Sequence, residues 1–553
     1  MYVYVLQQWL ADPKTGTYST AYNILVLKMM SAGMTAPATR QSIYSCFSAR
    51  GGVCGTDWDL PCNDYINRVR RQLGHLQHLF TGLDIARCAR IKCVFVDGST
   101  LNGVSTLAAG ADLEMPGQEE DKRVALSASM IPAAKASQDE ADCVDRWMER
   151  AIAFANDFYE YLTSQGYNLA RLPPVDGIGL WKCLGVSFVD GHWVKNAAGC
   201  TMNDNATPAM KTGRLIHEAA VTELKKRIGV EAWEELTQEE KEELSVMYNL
   251  PCWAHLRCLF EERGIQFADK LLKTLLLDFN LDAFVGERLE PKMNSLLRSM
   301  QKLFNVGRNS YAFSHGNELR DAVRAKDPLC VICPLGRFVG ERMDATYSNA
   351  VAAYLNRRVY IDYLARKIVF SSPNILEKSV FYRLSSKFYV AYLRATTIMW
   401  LASYEPMRHL CNANIKNFHL WQMAFVADTF HEVMQMLVTS PSTARDSEFN
   451  MFPLNDFLCL SDFYKEREHM FKRSVSGTLV DIKPALYEDL FDNSDPRLNE
   501  LTDSFIAELA KGAIDSLLNG NGADWLHSQK GKYSKLTWTD ERKCVLSAVH
   551  CAL

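Results

Sequence analysis

The chain is 553 residues long, with 61 Lys+Arg against 65 Asp+Glu, 48% hydrophobic and 23% charged residues, and a formal net charge of −4. That length and composition suit a globular chain able to bury sizeable cores without disulfide or metal staples. The near-neutral balance excludes a histone-like or polybasic protein but leaves room for a local basic groove.

The first 106 residues read as a helical domain with a Gly- and Cys-rich loop. Ala21–Met34 carries helical periodicity, Ser48–Asn63 is the loop, and Ile66–Arg90 is amphipathic again. The chain opens in an apolar, aromatic run, Met1-Tyr-Val-Tyr-Val-Leu-Gln-Gln-Trp9, with no basic segment or small-residue cleavage site. This reads as the middle of an element, hence as the C-terminal part of a longer protein. Residues 107–142, rich in Ala, Gly, Ser and acids, read as a flexible linker.

Helices dominate from there. A second helical domain spans 143–310, with a helix over Val144–Gln165 ended by Gly166 and a capping box at Thr237–Glu240 opening a helix toward Tyr248. A third domain spans 311–553, with helices over Ala345–Lys367, Ile375–Ala402, Asn414–Val438 and Arg497–Leu518. Two short β signals interrupt the pattern. Lys92–Val96 leads into Asp97-Gly98, and Val186–Val189 leads into Asp190-Gly191, the dipeptide of tight hairpins. The expected fold is mainly α, a multi-helix globular protein with a few short β-hairpins.

The sixteen cysteines are scattered without a dense framework, so they read as reduced, mostly buried residues of a cytoplasmic or nuclear protein. The best membrane candidate, Leu384–Ser403, carries Lys387 and Arg394 and is rejected as a span, so no membrane partner is expected.

From about Ala11 to Lys92 the sequence shows Tyr18-Ser19, Gly51, Gly52 and Gly55, Asp59-Leu60, Asn67-Arg68 and Leu73-Gly74. In this pattern it resembles a family of uncharacterised helical domains found in expanded, mobile-element-like gene copies of invertebrates and fungi. The family's acidic-histidine step is replaced by Asn63-Asp64-Tyr65. The resemblance covers under a fifth of the chain and implies helical architecture and a mobile-element or viral origin, with no activity to carry over.

Three constellations could carry chemistry. Cys330-Val-Ile-Cys333 is a knuckle of the kind tetrahedral zinc uses, with Cys252 and His255 as further ligands, or His409 and Cys411. The bland reading is buried cysteines of packed helices, with no cofactor. The second constellation is Asp97 and Asp190, each following an apolar Phe-Val step. An RNase H-like nuclease or transposase holds its first metal-binding carboxylate on such a strand, and two-metal phosphoryl transfer needs several converging carboxylates; Glu218 and Asp204 lie nearby in sequence. Against it, Asp-Gly also serves turns alone, and such a fold needs a five-stranded mixed sheet for which too few strands are legible. The third is basic: Arg68, Arg70, Arg71, Arg87 and Arg90, with His75, His78 and Lys92, could contact nucleic-acid phosphates, or simply form a solvated helix face.

No Walker A sequence, dinucleotide glycine fingerprint, His-Glu-x-x-His or Gly-x-Ser-x-Gly elbow is present. The leading expectation is therefore a non-enzymatic interaction or assembly protein with a protein partner. The alternatives are a metal-dependent nucleic-acid-processing enzyme and a zinc-stapled binding module.

Overall fold

The run Ile91, Cys93, Val94, Phe95, Val96 is buried at nearly every position, the signature of a strand covered on both faces. In the structure, a computed structural model, it lies in β1 (Arg90–Leu101), followed by β2 (Val104–Glu114) and β3 (Lys122–Met130) in an antiparallel meander. The described residues are 80–85, 87–101, 104–117, 122–130, 137–166, 179–196, 199–203, 207–278, 290–304, 315–326, 335, 343–410, 422–452, 489–520, 522–526 and 529–531. The N-terminal family resemblance, apart from its last residues, and the Cys330–Cys333 knuckle lie outside them.

Two expectations are corrected here. Asp97-Gly98 is no turn: Asp97 pairs with Ala108 and Gly98 with Leu107 inside the β1–β2 ladder. The strands reverse only after Leu101, which pairs with Val104, and the two residues between are Asn102-Gly103 in sequence, also a tight-turn dipeptide. Nor is 107–142 a linker. Its small residues build β2, where Ala109, Ala111 and Leu113 are buried, and a Cβ on Gly110 would stand 3.0 Å from the Val124 carbonyl oxygen. Composition alone misreads this segment, because Ala and Gly also serve where neighbouring strands pack closely.

After β3 come α1 (Ser137–Ser164), a short 3-10 turn (Leu180–Leu184), β4 (Val186–Val189), β5 (His192–Lys195) and β6 (Cys200–Asn203). The helices α2 (Thr207–Ile228), α3 (Val230–Glu235) and α4 (Gln238–Ser245) precede β7 (Tyr248–Pro251). β4 and β5 form the hairpin expected at Asp190-Gly191. The strand order of the main sheet is β3-β2-β1-β6-β7, so β1 is central and the chain crosses over between β3 and β6. The sheet has five strands, where the sequence shows too few. Short strands such as Cys-Thr-Met-Asn and Tyr-Asn-Leu-Pro carry too little pattern to be seen in sequence.

By contact density the chain divides into one unit of Met1–Lys195, Gly199–Thr201 and Lys211–Met247 and another holding the rest, so the main division falls near residue 248 rather than at 142 or 310. In the first unit, Val94, Val96, Ala111 and Leu113 form one core with Val144, Trp147 and Met148 of α1 and Ile216, Ala220 and Leu224 of α2. Cys93, Phe95 and Cys200 are buried outside that core, and strand alternation puts Cys93 and Phe95 on the opposite face of β1. α1 is ended by Gly166 at φ +79, as expected. The capping box of α4 also forms: Glu240 N–H donates to Thr237 Oγ1, and Thr237 N–H to Glu240 Oε2.

The second unit is a bundle of α5 (Trp253–Asp278), α6 (Met293–Phe304), α7 (Gly316–Lys326), α8 (Met343–Phe370), α9 (Ile375–Ser385), α10 (Lys387–Met399), a π-turn (Trp400–Tyr404), α11 (Glu405–Leu410), α12 (Gln422–Thr439) and α13 (Pro496–Asn519). α5 and α13 cross at glycines: a Cβ on Gly512 would meet the Arg263 carbonyl oxygen at 2.4 Å, and one on Gly264 would meet that of Leu509 at 2.9 Å. Only two glycines permit backbones that close. Tyr392 of α10 stacks on Phe505 of α13 with centroids 4.7 Å apart. Buried Arg394 holds the segment before α13, donating to the carbonyls of Leu490 and Asp492 and to Asn499 Oδ1. No helix among the described residues is long and apolar enough to cross a membrane.

Candidate functional site

Asp97 lies on the central strand of the five-stranded sheet, opposite Ala108. The backbone earlier on that strand is built for close approach. A Cβ on Gly199, just before β6, would stand 2.4 Å from the Cys183 carbonyl oxygen, 2.8 Å from that of Ile91 and 3.1 Å from that of Lys92. One residue further along each strand, the thiols of Cys93 and Cys200 are hydrogen-bonded to each other. Burial, first of all, pushes the Cys93 thiol well up, and Cys200 and Asp112 add to the effect. Cys183 is raised by burial in the same way. Burial lifts Cys88 to about 11, opposed by the Lys182 ammonium. The raised thiols of Cys88, Cys93 and Cys183 are neutral packing groups, not nucleophiles.

Lys182 is itself buried. Its Nζ donates to the carbonyls of Ile85 at 3.1 Å and Cys88 at 2.6 Å, so a cation closes the short helical stretch before β1. Burial lowers its pKa, partly offset by Cys88.

Asp190 has a different place. It stands exposed at the tip of the β4–β5 hairpin with φ +50, followed by Gly191 at φ +86, so its role is that of a tight-turn residue. Of the basic candidates, Arg68, Arg70 and Arg71 lie outside the described residues. Arg90 is not available to phosphate: it is buried and donates to Glu114 at 2.5 Å, its partner across the β1–β2 ladder, with Lys92 3.9 Å from the same carboxylate. An arginine at a strand's first residue, facing an acid on the neighbour, serves the sheet. Arg87 is half-buried.

The zinc candidates separate similarly. Buried Cys252 precedes α5 and takes a place in its first hydrogen bonds, its N–H donating to the Asn203 carbonyl and its carbonyl accepting from Leu256. His255 is half-exposed on the first turn of the helix. Among the described residues no group of three His, Cys, Asp or Glu side chains is placed to hold a metal ion.

The bundle contains a polar centre that has no signature in the sequence. On α5, Arg257 donates to Glu261 at 2.7 Å, and the two side chains are 3% and 0% exposed. The edge of Tyr347 from α8 meets the ring of Tyr404 from the π-turn, with centroids 5.0 Å apart. Burial pushes both tyrosines well up, and the Glu261 charge adds to this. The arrangement pairs one cation with one anion and keeps both phenols neutral. A buried pair of this kind costs much to desolvate, and its best-attested use is to fix one arrangement of helices. In sequence, His-Leu-Arg-Cys-Leu-Phe-Glu-Glu looks like an ordinary charged helix face, and a π-turn has no residue signature. Asp269, also on α5, is raised to about 6 by burial, against the Met293 N–H and Tyr392 hydroxyl that donate to it.

The sequence matches no known family model and no curated protein.

Proposed function

We propose that the chain is a metal-dependent nucleic-acid-processing enzyme of the nuclease or transposase kind, with Asp97 as its first metal ligand and Asp204 as its second. The observation that carries this reading is the position of Asp97 on the central strand of a five-stranded sheet, the support that an RNase H-like carboxylate needs. The neighbouring strand points to the second ligand. β6 neighbours β1 in that sheet, with Gly199 beside Ile91 and Lys92 and the Cys200 thiol bonded to that of Cys93. Asp204 follows β6 directly in sequence and lies just outside the described residues. Two-metal phosphoryl transfer needs converging carboxylates that hold divalent cations about 4 Å apart. Bound there, such ions supply an activated water and stabilise a leaving phosphodiester oxygen; the protein's part is to hold them on rigid strands.

Asp190 drops out of the ligand set, because its backbone already explains it. The test is incubation of the full chain with supercoiled plasmid and Mg²⁺ or Mn²⁺. Nicking that is lost in Asp97→Asn and in Asp204→Asn, and kept in Asp190→Asn, supports the reading. Nicking that survives both substitutions sinks it.

A second reading, an interaction or assembly protein, draws on a different observation. Phe370, Ile375 and Val369 are 84%, 77% and 71% exposed around one helix–helix corner, in a bundle that otherwise buries most of its large apolar groups.

A further inference from the structure

We propose that the corner joining α8 to α9 is a docking surface for single-stranded nucleic acid. The four residues Ser371-Ser372-Pro373-Asn374 connect the helices, and Asn374 starts α9 with a capping box to Glu377, so the turn is fixed. On the last turns of α8, Arg366 and Phe370 are four residues apart and both exposed, with Val369 beside them. On α9, Ile375, Lys378 and Tyr382 are spaced at steps of three and four and are exposed too. Helical spacing gathers each set into one stripe.

Aromatic groups here alternate with cations. The Tyr382 ring is 47% exposed and is set edge-on by Phe381, with centroids 5.6 Å apart. Arg366 and Lys378 make no ion pair among the described residues. The acids nearby are mostly engaged: Glu377 is buried and bonded to His315 at 2.5 Å, and Glu318 takes Lys367 at 3.0 Å and Tyr363 at 2.6 Å. Exposed Asp362, one turn before Arg366, is the acid on the α8 stripe. The corner therefore carries a positive balance around exposed rings.

That chemistry selects the partner. An apolar protein surface would leave Arg366 and Lys378 without counter-charges. A duplex keeps its base faces stacked inside, so it gives exposed rings nothing to stack on. A single strand offers both: bases to stack on Phe370 and Tyr382, and phosphates for the cations. The inference does not depend on the Asp97 site.

The experiment is fluorescence anisotropy of the full chain with labelled oligothymidylate and with a duplex of equal length, in EDTA, across a salt series. Phe370→Ala/Tyr382→Ala is expected to weaken single-strand binding about tenfold or more and to leave duplex binding nearly unchanged. Arg366→Glu/Lys378→Glu is expected to weaken it and to flatten the dependence of log Kd on log salt. All four positions are exposed, and an unchanged Tm confirms that the variants fold. Equal affinity in wild type and both variants overturns the proposal, as does no binding by the wild type. Self-association of the wild type that Phe370→Asp abolishes, without any effect on nucleic acid, also overturns it and makes the corner a contact between copies. Because EDTA silences cleavage, failure here is separate from failure of Asp97 as a metal ligand.

Discussion

The tetrapeptide Phe-Val-Asp-Gly occurs twice, as Phe95–Gly98 and Phe188–Gly191, and the two copies adopt different structures. In the first, Phe95 and Val96 are 5% and 2% exposed and the chain runs straight on through Asp97 to Leu101. In the second, Phe188 and Val189 are 60% and 48% exposed and the chain reverses at Asp190-Gly191 with both residues at positive φ. The residues after the tetrapeptide decide between the two. Ser-Thr-Leu continues a β pattern to the end of β1 at Leu101, whereas His-Trp-Val begins a return strand at once. The same aspartate is thus a central-strand residue in one place and a turn residue in the other. Only the first stands on a central strand, the support that the proposed metal site asks for.

The strongest way to break this comparison is at the aspartates. Asp97→Asn is expected to lower metal-dependent nicking by more than about 100-fold, the upper end of what even outer-shell partners of a metal cost. Asp190→Asn is expected to leave it unchanged, because Asn tolerates the same positive φ. Equal loss in both would make the two copies functionally equivalent and refute the contrast.

The phenylalanines come next. Phe95→Ala is expected to destabilise the protein by about 3–5 kcal/mol and Phe188→Ala by about 1 kcal/mol, since the latter loses mainly its contact with Trp193 at 5.3 Å. Urea unfolding of the two variants measures the difference, and similar midpoints would contradict the burial of the first copy.

The buried titrating groups sharpen the contrast between sheet and bundle. Cys88 and Cys93, raised by burial, stay neutral in the folded chain through pH 8, and an unfolded thiol is largely neutral there too, so the sheet adds little stability change from them between pH 5 and 8. Asp269 in the bundle is raised to about 6 from an ordinary value near 4. A raised carboxyl binds its proton more tightly in the folded state. Stability is therefore gained as pH falls from 7 through 6 toward 4 and lost as pH rises through 6, by up to about 3 kcal/mol. Asp269→Asn is expected to flatten the Tm profile between pH 5 and 7, and an unaltered profile would show that Asp269 does not titrate there. The smallest effect is at the turn: Gly191→Ala is expected to cost about 1 kcal/mol, because a Cβ is disfavoured at φ +86. No cost in thermal unfolding would mean that the hairpin relaxes freely.

The helical bundle is legible in sequence because long segments such as Ala345–Lys367 and Arg497–Leu518 repeat their apolar positions many times; they match α8 and α13 to within about three residues. Ile375–Ala402 reads as one helix, but Ser386 divides it and the π-turn alters its end, both local events that periodicity averages over. The sheet is legible only at its centre. β2 hides behind an Ala- and Gly-rich composition, and β6 and β7 are too short to announce themselves. The site suffers in the same way. Asp97 is marked by its strand, but two identical tetrapeptides look equivalent, so Asp97 and Asp190 rank alike until the backbone separates them. Nothing in sequence spacing tells which strand lies beside β1.

The most direct test of Asp97 as a metal ligand is the affinity of the full chain for Mn²⁺, read by electron paramagnetic resonance of the free ion during titration. Saturable binding that is lost in Asp97→Asn and retained in Asp190→Asn is the predicted result. Binding that is indifferent to Asp97, or absent from the wild type, would contradict it.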